Sequence, residues 1–192
     1  KTILNCFLLF LVVNMPCKNC KTKPVIKLPN SNISLCKSCF IKYFEKKVLK
    51  TIREYDLLKP NEKIGVAVSG GKDSLTTLYL INKIAANKMP LNIVAIAIDE
   101  GIHNYRSITL EDATKFCNEN NITLHIVSYK KEFGYSLDEM LTKTKRNPCS
   151  ICGVLRRYLL NKKARELKVS KLATGHNLDD EAQAILMNQF KN

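Results

Sequence analysis

The stretch from residue 63 to residue 75 constrains the fold of this chain more than any other. After Lys63 comes the apolar run Ile-Gly-Val-Ala-Val (residues 64–68), which is suited to a short strand buried on both faces. Residues 69–74 are Ser-Gly-Gly-Lys-Asp-Ser, and from Leu75 onward apolar residues recur at helical spacing. The pattern predicts a strand, a glycine-rich loop and a helix in succession.

The loop between this strand and this helix has the composition of an anion-binding site. Gly70 and Gly71 let backbone N–H groups approach an anion without a Cβ in the way, and the positive end of the following helix faces the same spot. Ser69 and Ser74 add hydroxyl donors, and Lys72 adds a cation. The loop is not a Walker A loop, which has four residues between its first glycine and Gly-Lys-Ser/Thr. A tight turn without a ligand is the alternative, but six specified residues in this setting favour phosphate binding.

The Ser-Gly-Gly-Lys-Asp-Ser loop resembles the SGGxDS signature of the PP-loop ATP pyrophosphatases, which adenylate a substrate oxygen and release pyrophosphate. The resemblance implies an α/β fold with a parallel sheet of the PP-loop (adenine nucleotide alpha hydrolase-like) type. It also implies that the loop binds ATP through Ser69, Gly70, Gly71, Lys72, Asp73 and Ser74. Lys72 and Asp73 are the expected catalytic residues of pyrophosphate release. The family includes tRNA thiolation enzymes, tRNA lysidine synthetase and GMP synthetase, so the loop alone leaves the substrate open.

A second buried strand is predicted at residues 91–98, which are rich in Ile and Val. In open α/β sheets, ligands lie beyond the carboxyl ends of the strands. The family resemblance implies that Ala67 and Ile98, near two such ends, meet the adenine of ATP through their backbones. Their apolar side chains, taken alone, indicate only a core position.

The predicted strand at residues 171–174 is followed by Gly-His-Asn-Leu-Asp-Asp, which resembles the second nucleotide-binding segment of the PP-loop superfamily. Gly175 allows close approach to the nucleotide. Asp179 and Asp180 are the expected Mg²⁺ ligands on the pyrophosphate, and Asp180 is also an expected ATP contact. Without the resemblance, the two carboxylates are an N-cap and a first-turn acid of a helix.

Six of the eight cysteines lie in Cys-x-x-Cys pairs, and two pairs predict a small metal-binding unit. The expected zinc ligands are Cys17, Cys20, Cys36 and Cys39. Fifteen residues separate the two pairs, which is typical of a four-thiolate zinc knuckle. A segment so short and so poor in apolar residues needs a metal to stay ordered. A redox pair is the competing interpretation.

The domain organisation follows from this knuckle and from the charge. Residues 15–59 are predicted to hold the knuckle and a basic helix, with 12 Lys/Arg among residues 1–59 against 3 Asp/Glu. Residues 60–192 are predicted to form the PP-loop domain, with its C-terminal part missing, and carry 19 against 14. Such a basic appendage suits RNA, although a lysine-rich surface selected for solubility is an alternative. Residues 1–14, which precede Met15, are expected to be a non-native extension.

A third Cys-x-x-Cys pair, Cys149 and Cys152, follows Pro148 at the predicted start of a helix. The dipole at a helix start favours a reactive thiolate. One pair cannot complete a metal site by itself. The alternative interpretation is a second structural zinc site whose other two ligands have been lost. Arg156, one turn after Cys152, is an expected phosphate ligand of ATP.

The segment Pro-Cys-Ser-Ile-Cys-Gly resembles the PCxxCG segment of the tRNA-uridine 2-sulfurtransferases of the TtuA and cytoplasmic tRNA 2-thiolation family. In that family the two cysteines and a third one, expected beyond Asn192, serve sulfur transfer and hold a 4Fe-4S cluster. Residues 99–106 resemble the family's DEGIxGYR segment, with Asn104 where glycine is usual. Asparagine tolerates positive φ, so the turn is expected to be kept.

The combined resemblance implies an ATP-dependent enzyme that adenylates the C2 oxygen of a tRNA uridine, releases pyrophosphate and transfers sulfur to give 2-thiouridine. The implied partners are tRNA and a ubiquitin-like sulfur carrier or another sulfur donor. No membrane segment is expected, and the expected location is the cytoplasm. A homodimer is possible but is not required by the motifs. Two alternatives remain, a tRNA 2-thiocytidine synthetase and a catalytically dead zinc-dependent RNA-binding module.

Overall fold

The computed structural model of the protein describes residues 16–144 and 147–191. The described chain divides into two compact units, which we call unit 1 (up to Leu58) and unit 2 (from Lys59). The interpretation of residues 1–14 as an extension lies outside the described residues. No helix within the described ranges is long and apolar enough to span a lipid bilayer.

Unit 1 consists of a short hairpin and one long helix. Strands β1 (Ile26–Leu28) and β2 (Ile33–Leu35) pair antiparallel, and helix α1 (Lys37–Glu54) follows. The sequence predicted the helix but only a loop between the two cysteine pairs. Three-residue strands carry too little alternation to be recognised from sequence. Their pairing brings the buried Cys17 and Cys36 together with Leu35 in a small core.

Unit 2 is an α/β unit that consists of a four-stranded parallel sheet and six helices in the described residues. Its strands are β3 (Lys63–Ala67), β4 (Asn92–Asp99), β5 (Thr123–Ser128) and β6 (Lys171–Ala173), in the spatial order β5-β4-β3-β6. Its helices are α2 (Lys72–Asn87), α3 (Arg106–Glu119), α4 (Tyr129–Phe133), α5 (Leu137–Leu141), α6 (Pro148–Glu166) and α7 (Leu178–Lys191). All three strand pairs are parallel, which confirms the predicted fold class.

The two central strands carry the core of unit 2. Ile64 and Val66 of β3 and Ile96 and Ile98 of β4 are at most 2 % exposed, as expected for strands covered on both faces. Register pairs Ala67 with Ile96, so β3 and β4 end at the same edge of the sheet. The segments that follow these strands therefore meet beyond that edge.

The edge strand β5 departs from the sequence expectation. The alternation in residues 122–127 predicted that His125 would face solvent, but His125 is half-buried and Ile126 is exposed. Burial lowers the pKa of the His125 imidazole. An edge strand has one neighbour only, so its outer face is weakly determined by hydrophobic pattern.

Candidate active site

The loop between β3 and α2 is organised by its own side chains. The Ser74 hydroxyl accepts a hydrogen bond from the Ser69 backbone N–H at 3.1 Å and donates one to the Gly71 carbonyl at 2.9 Å. Gly70 has φ +86°, a left-handed conformation, and a Cβ there would lie 2.0 Å from the carbonyl oxygen of Thr109. Only glycine therefore fits between this loop and α3.

The segment after β6 packs directly on this loop. A Cβ at Gly175 would lie 2.8 Å from the backbone N and Cα of Ser74. The two glycine-containing segments predicted to bind the nucleotide are thus in backbone contact. Because α2 begins at Lys72, the N-terminus of this helix lies at the same place.

A cavity of about 460 Å³ opens beyond the carboxyl ends of β3 and β4. Eight of the residues predicted to bind ATP line it, namely Ala67, Ser69, Gly71, Asp73, Ser74, Ile98, Arg156 and Gly175. They come from β3, the loop after it, the first turn of α2, β4, α6 and the segment after β6. The topology therefore gathers residues that are more than one hundred positions apart in the chain.

Three residues predicted to bind ATP do not line the cavity. Gly70 faces Thr109, and the Lys72 side chain is 87 % exposed, with its Nζ 2.9 Å from an oxygen of Asp73. Asp180 accepts a hydrogen bond from the Asn177 backbone N–H at 2.9 Å, while its own N–H donates to the Asn177 side chain at 3.0 Å. Asp180 thus takes part in a reciprocal N-terminal cap of α7 as a first-turn acid, as the structural alternative expected, but the cap residue is Asn177 rather than an aspartate.

Asp179, the other predicted magnesium ligand, is exposed in the first turn of α7 and does not line the cavity either. One oxygen of the Asp180 carboxylate is used by the cap, and the other is not part of it. The two carboxylates thus lie three to five residues beyond Gly175 and His176, which do line the cavity.

Sequence reasoning missed several residues of the cavity, including Glu100, Arg106 and His176. Glu100 follows β4 directly and is 4 % exposed, and Arg106 opens α3 and is 5 % exposed. Arg106 Nη1 donates to the Ser69 carbonyl oxygen at 2.8 Å and to Thr109 Oγ1 at 3.2 Å. A charged residue directly after a central strand was the available signal for Glu100.

The segment between Glu100 and Arg106 keeps its predicted turn. Asn104 adopts φ 57°, the left-handed conformation expected at the position where the family usually has glycine. Gly101 has φ +72°, and a Cβ there would lie 2.6 Å from the Cβ of Ser136. The Leu137 N–H donates to the Glu100 carbonyl at 2.7 Å. This main chain is therefore held between β4 and α5.

Helix α6 carries the third cysteine pair on its first turns. Pro148 is its first residue, and the Asn147 side chain caps it by accepting from the Cys149 N–H at 2.9 Å. Cys149 is exposed and Cys152 is partly buried. The buried Tyr129 hydroxyl donates to the Cys152 carbonyl at 3.0 Å, and burial raises the pKa of the Tyr129 phenol.

The same helix reaches the cavity one turn later. Arg156 and Arg157 line the cavity, whereas Cys149 and Cys152 do not. The two thiols suit two of the ligands of an iron–sulfur cluster. Among residues 16–144 and 147–191, the only group of three or more candidate metal ligands is the one in unit 1. Within the described chain, a cluster on α6 would thus have two of its ligands.

The four cysteines predicted to bind zinc come together in unit 1. The sulfur atoms of Cys17, Cys20, Cys36 and Cys39 all lie within 4.8 Å of one another. The Cys20 sulfur is 3.4 Å from Cys36 and 3.7 Å from Cys39. Tetrahedral zinc with bonds of about 2.3 Å places its sulfur ligands about 3.8 Å apart, so the cluster fits such an ion.

The proximity of these thiols has an electrostatic consequence. A hydrogen bond with Ser38 lowers the pKa of Cys36 to about 5, whereas the neighbouring Cys36 sulfur raises the pKa of Cys39 to about 12. The four groups cannot all carry negative charge unless a cation lies between them. The donor set is therefore that of a metal site.

Residues 41–192 match the PP-loop domain family, which is most of the chain. The chain belongs to the PP-loop family. Residues 17–41 match the N-terminal LIM domain of 2-thiouridine synthetase TtuA. The second match falls on the cysteine cluster of unit 1, and together the two matches confirm the resemblance inferred from the motifs.

The PP-loop chain is similar to curated proteins named for tRNA thiolation. It is 44 % identical to a tRNA-5-methyluridine(54) 2-sulfurtransferase of Pyrococcus horikoshii, over 91 % of this chain and 54 % of the relative. It is 38 % identical to cytoplasmic tRNA 2-thiolation protein 1 of Drosophila willistoni, over 90 % of this chain and 51 % of the relative. The PP-loop chain spans about half the length of these relatives.

A solved structure similar to this PP-loop chain is the U34-tRNA thiolase NcsA of Methanococcus maripaludis with its 4Fe-4S cluster. The two match with a TM-score of 0.82 and 42 % sequence identity, over 93 % of this chain and 59 % of the other. This likeness is therefore one of sequence as well as of fold.

Proposed function

We propose that the protein is a tRNA-uridine 2-sulfurtransferase, which uses ATP to replace the C2 oxygen of a tRNA uridine by sulfur. The observation that carries the proposal is the composition of the cavity walls. One wall is the phosphate loop of residues 69–74, and another is α6, the helix whose first turns carry Cys149 and Cys152. An activating nucleotide and a sulfur-handling pair are thus assigned to elements that border one space. The names of the relatives support the same substrate class.

The first assigned step activates the uridine C2 oxygen, which is a poor leaving group. This oxygen attacks the α-phosphorus of ATP, and pyrophosphate leaves. The backbone N–H groups and hydroxyls of the loop are assigned to the phosphates, together with Arg156. Lys72 and Asp73, at the first turn of α2, are assigned to pyrophosphate release. When bound, Mg²⁺ would neutralise charge on the pyrophosphate, with Asp179 and Asp180 as its assigned ligands.

The second assigned step delivers sulfur. A sulfur nucleophile adds to C2, and AMP leaves with the former uridine oxygen. Cys149 and Cys152 are assigned to this delivery by one of two routes. In the first, a donor of sulfane sulfur leaves a persulfide on Cys149, its outer sulfur adds to C2, and the Cys152 thiolate then attacks Cys149 Sγ, so that the sulfur stays on C2 and a Cys149–Cys152 disulfide remains to be reduced by an external thiol. In the second, hydrosulfide, the form that a thiocarboxylate carrier can release, adds to C2 directly. A 4Fe-4S cluster, when bound, would supply a Lewis acid for hydrosulfide, and the two cysteines would be two of its ligands. The cluster named with NcsA supports the second route.

The remaining assignments concern metal, partners and location. The cysteine cluster of unit 1 is assigned to one structural zinc, since its sulfur distances suit tetrahedral coordination. The basic helix α1 is assigned to tRNA phosphates. A ubiquitin-like carrier is the proposed sulfur source, and the names of the insect relatives support a cytoplasmic location.

Mass spectrometry of tRNA nucleosides tests the proposed function. The complete gene product is incubated with unmodified tRNA, MgATP and sulfide. We expect 2-thiouridine with the wild type and none with Cys149→Ser, although Cys149→Ser still binds ATP and tRNA. Cys117→Ala is the control, because Cys117 is buried in α3 outside the cavity and should keep product formation.

Three outcomes would contradict the proposal in different ways. Normal 2-thiouridine with a Cys149→Ser/Cys152→Ser protein would remove the sulfur role of the pair. 2-Thiocytidine as the product would favour a tRNA 2-thiocytidine synthetase. Binding of tRNA without any turnover of ATP would favour an RNA-binding module without catalysis.

A further inference from the structure

Two charged side chains beside the cavity have no part in the proposed reaction. Glu100 and Arg106 are both more than nine-tenths buried, and both line the cavity. Arg106 Nε lies 2.9 Å from Glu100 Oε2, but within the described residues neither atom makes a hydrogen bond of acceptable geometry. A buried ion pair that is only partly satisfied is costly to retain, so it marks a place where position matters more than stability.

Arg106 acts on the phosphate loop. Its Nη1 donates to the Ser69 carbonyl at 2.8 Å. That carbonyl and the N–H of Gly70 belong to one planar peptide unit and point in opposite directions. Holding the Ser69 oxygen toward Arg106 therefore sets the direction of the Gly70 N–H in a loop whose N–H groups are its anion donors.

Glu100 lies between two arginines that differ in burial and in their distance from its carboxylate. Arg106 is buried, whereas the Arg156 side chain is 48 % exposed, and its Nη1 is 3.8 Å from Glu100 Oε1. This separation exceeds hydrogen-bonding distance, so the Arg156 contact is mainly Coulombic. A nucleotide phosphate in the cavity would offer Arg156 a closer, bidentate partner.

The main chain of Glu100 is well placed to carry such a role. Its carbonyl accepts from the Leu137 N–H at 2.7 Å, and the next residue, Gly101, packs against Ser136 without room for a Cβ. The carboxylate therefore projects from a fixed point at the end of β4. The carboxylate can therefore fix the positions of the Arg106 and Arg156 guanidinium groups.

We propose that Glu100 is a positioning residue of the nucleotide site, whose carboxylate holds Arg106 on the Ser69 carbonyl and directs Arg156 into the cavity until a phosphate replaces it. Glu100 presets the phosphate loop in this way and does not itself contact the substrate. The inference rests on the proposed function in that the ligand is taken to be ATP.

Binding of MgATP and of adenosine to the full chain, measured by calorimetry, tests this role. Glu100→Gln keeps the shape of the side chain and removes its charge. We expect it to weaken MgATP binding by about tenfold or more, with adenosine binding changed less than about twofold, because adenosine lacks phosphates. Arg106→Lys, which keeps the charge but not the guanidinium fork, should weaken MgATP binding similarly.

The sign of the effect separates positioning from simple electrostatics. A carboxylate beside an anion site repels phosphate, so its removal should strengthen MgATP binding if charge alone mattered. Unchanged or tighter MgATP binding by folded Glu100→Gln would overturn the proposal. Equal loss of MgATP and adenosine binding would also overturn it, since that indicates a purely structural role.

Two further comparisons make the test complete. Glu132→Gln is the matched control, because Glu132 pairs with Lys162 outside the cavity and should leave MgATP binding unchanged. If Glu100→Gln does not fold, Glu100→Asp and Arg106→Lys decide by the same selectivity for MgATP over adenosine. A wild type that does not bind MgATP would refute the proposed function and this inference together, whereas a wild type that binds it beside an unaffected Glu100→Gln would refute the inference alone.

Discussion

At the scale of single residues, the two adjacent glycines of the phosphate loop have different reasons to be glycine. Gly70 is left-handed and has the Thr109 carbonyl where a side chain would begin. Gly71 has φ −76° and ψ 161°, which any residue adopts, and a Cβ there would meet its nearest atom, Ser69 Oγ, at 3.5 Å. The two glycines are adjacent in the sequence, but only Gly70 has to be glycine for the loop to adopt this backbone conformation without a ligand.

Gly70→Ala and Gly71→Ala should therefore differ in stability. Gly70→Ala is expected to lower the free energy of unfolding by at least about 2 kcal/mol, because it combines an unfavourable φ with a backbone clash. Gly71→Ala should change it by less than about 1 kcal/mol. Urea unfolding followed by circular dichroism measures both, and equal effects would contradict the described loop geometry.

Single residues of the site differ in how far the sequence predicts their positions. The loop that holds Ser69 and Ser74 was predictable, because an apolar run, two glycines and apolar residues at helical spacing follow one another in the chain. The hydrogen bonds between the two serines were not predicted. The burial of Glu100 depends on β4, α3 and α6 coming together, which no local pattern encodes. The prediction that His125 faces solvent was wrong, because alternation on an edge strand does not say which face is covered.

At the scale of elements, α6 connects the cysteine pair to the cavity. Its start at Pro148 was evident from the sequence, since proline at the first position is a helix-start signal, whereas the Asn147 cap was found only in the structure. The anchor of its first turns, Tyr129, was not evident. Tyr129 lies 23 residues earlier and ends up completely buried, with its hydroxyl on the Cys152 carbonyl.

Tyr129→Phe should loosen the start of α6. The change removes one buried hydroxyl and keeps the ring contact with Phe133, so we expect a loss of about 1 kcal/mol in unfolding free energy. We also expect faster hydrogen exchange in the first turns of α6.

Tyr158→Phe is the matched control, because the same hydroxyl is removed from an exposed tyrosine whose ring also contacts Phe133. It should cost less than about 0.5 kcal/mol. Unaltered exchange at Cys149 to Gly153 in Tyr129→Phe would mean that the hydroxyl does not hold the helix.

At the scale of the whole molecule, the two units depend on different forces. Unit 2 has a core of buried strands and helices, whereas the buried core of unit 1 contains two of its own candidate metal ligands. A core that small is not expected to stay folded by burial alone. The cysteine spacing made this predictable from sequence, although the hairpin between the pairs was not.

Metal removal should therefore affect the units unequally. We expect about one zinc per chain by elemental analysis, and none in a Cys17→Ser/Cys36→Ser protein. In that variant the amides of unit 1 should lose protection from hydrogen exchange, while β3 and β4 keep theirs. Full zinc content with normal protection of unit 1 would contradict the assignment, and Cys117→Ala serves as the cysteine control.

The products of ATP turnover show whether the cavity activates a substrate oxygen by adenylation, as we propose. ATP labelled with radioactive phosphorus at the α-phosphate is incubated with the complete gene product, Mg²⁺, tRNA and a sulfur donor, and the nucleotides are separated by chromatography. We expect labelled AMP and an equal amount of pyrophosphate. Their formation should depend on tRNA and should be abolished by Lys72→Ala in a protein that still melts normally. Labelled ADP with inorganic phosphate, or AMP formation undiminished by Lys72→Ala, would contradict this proposal.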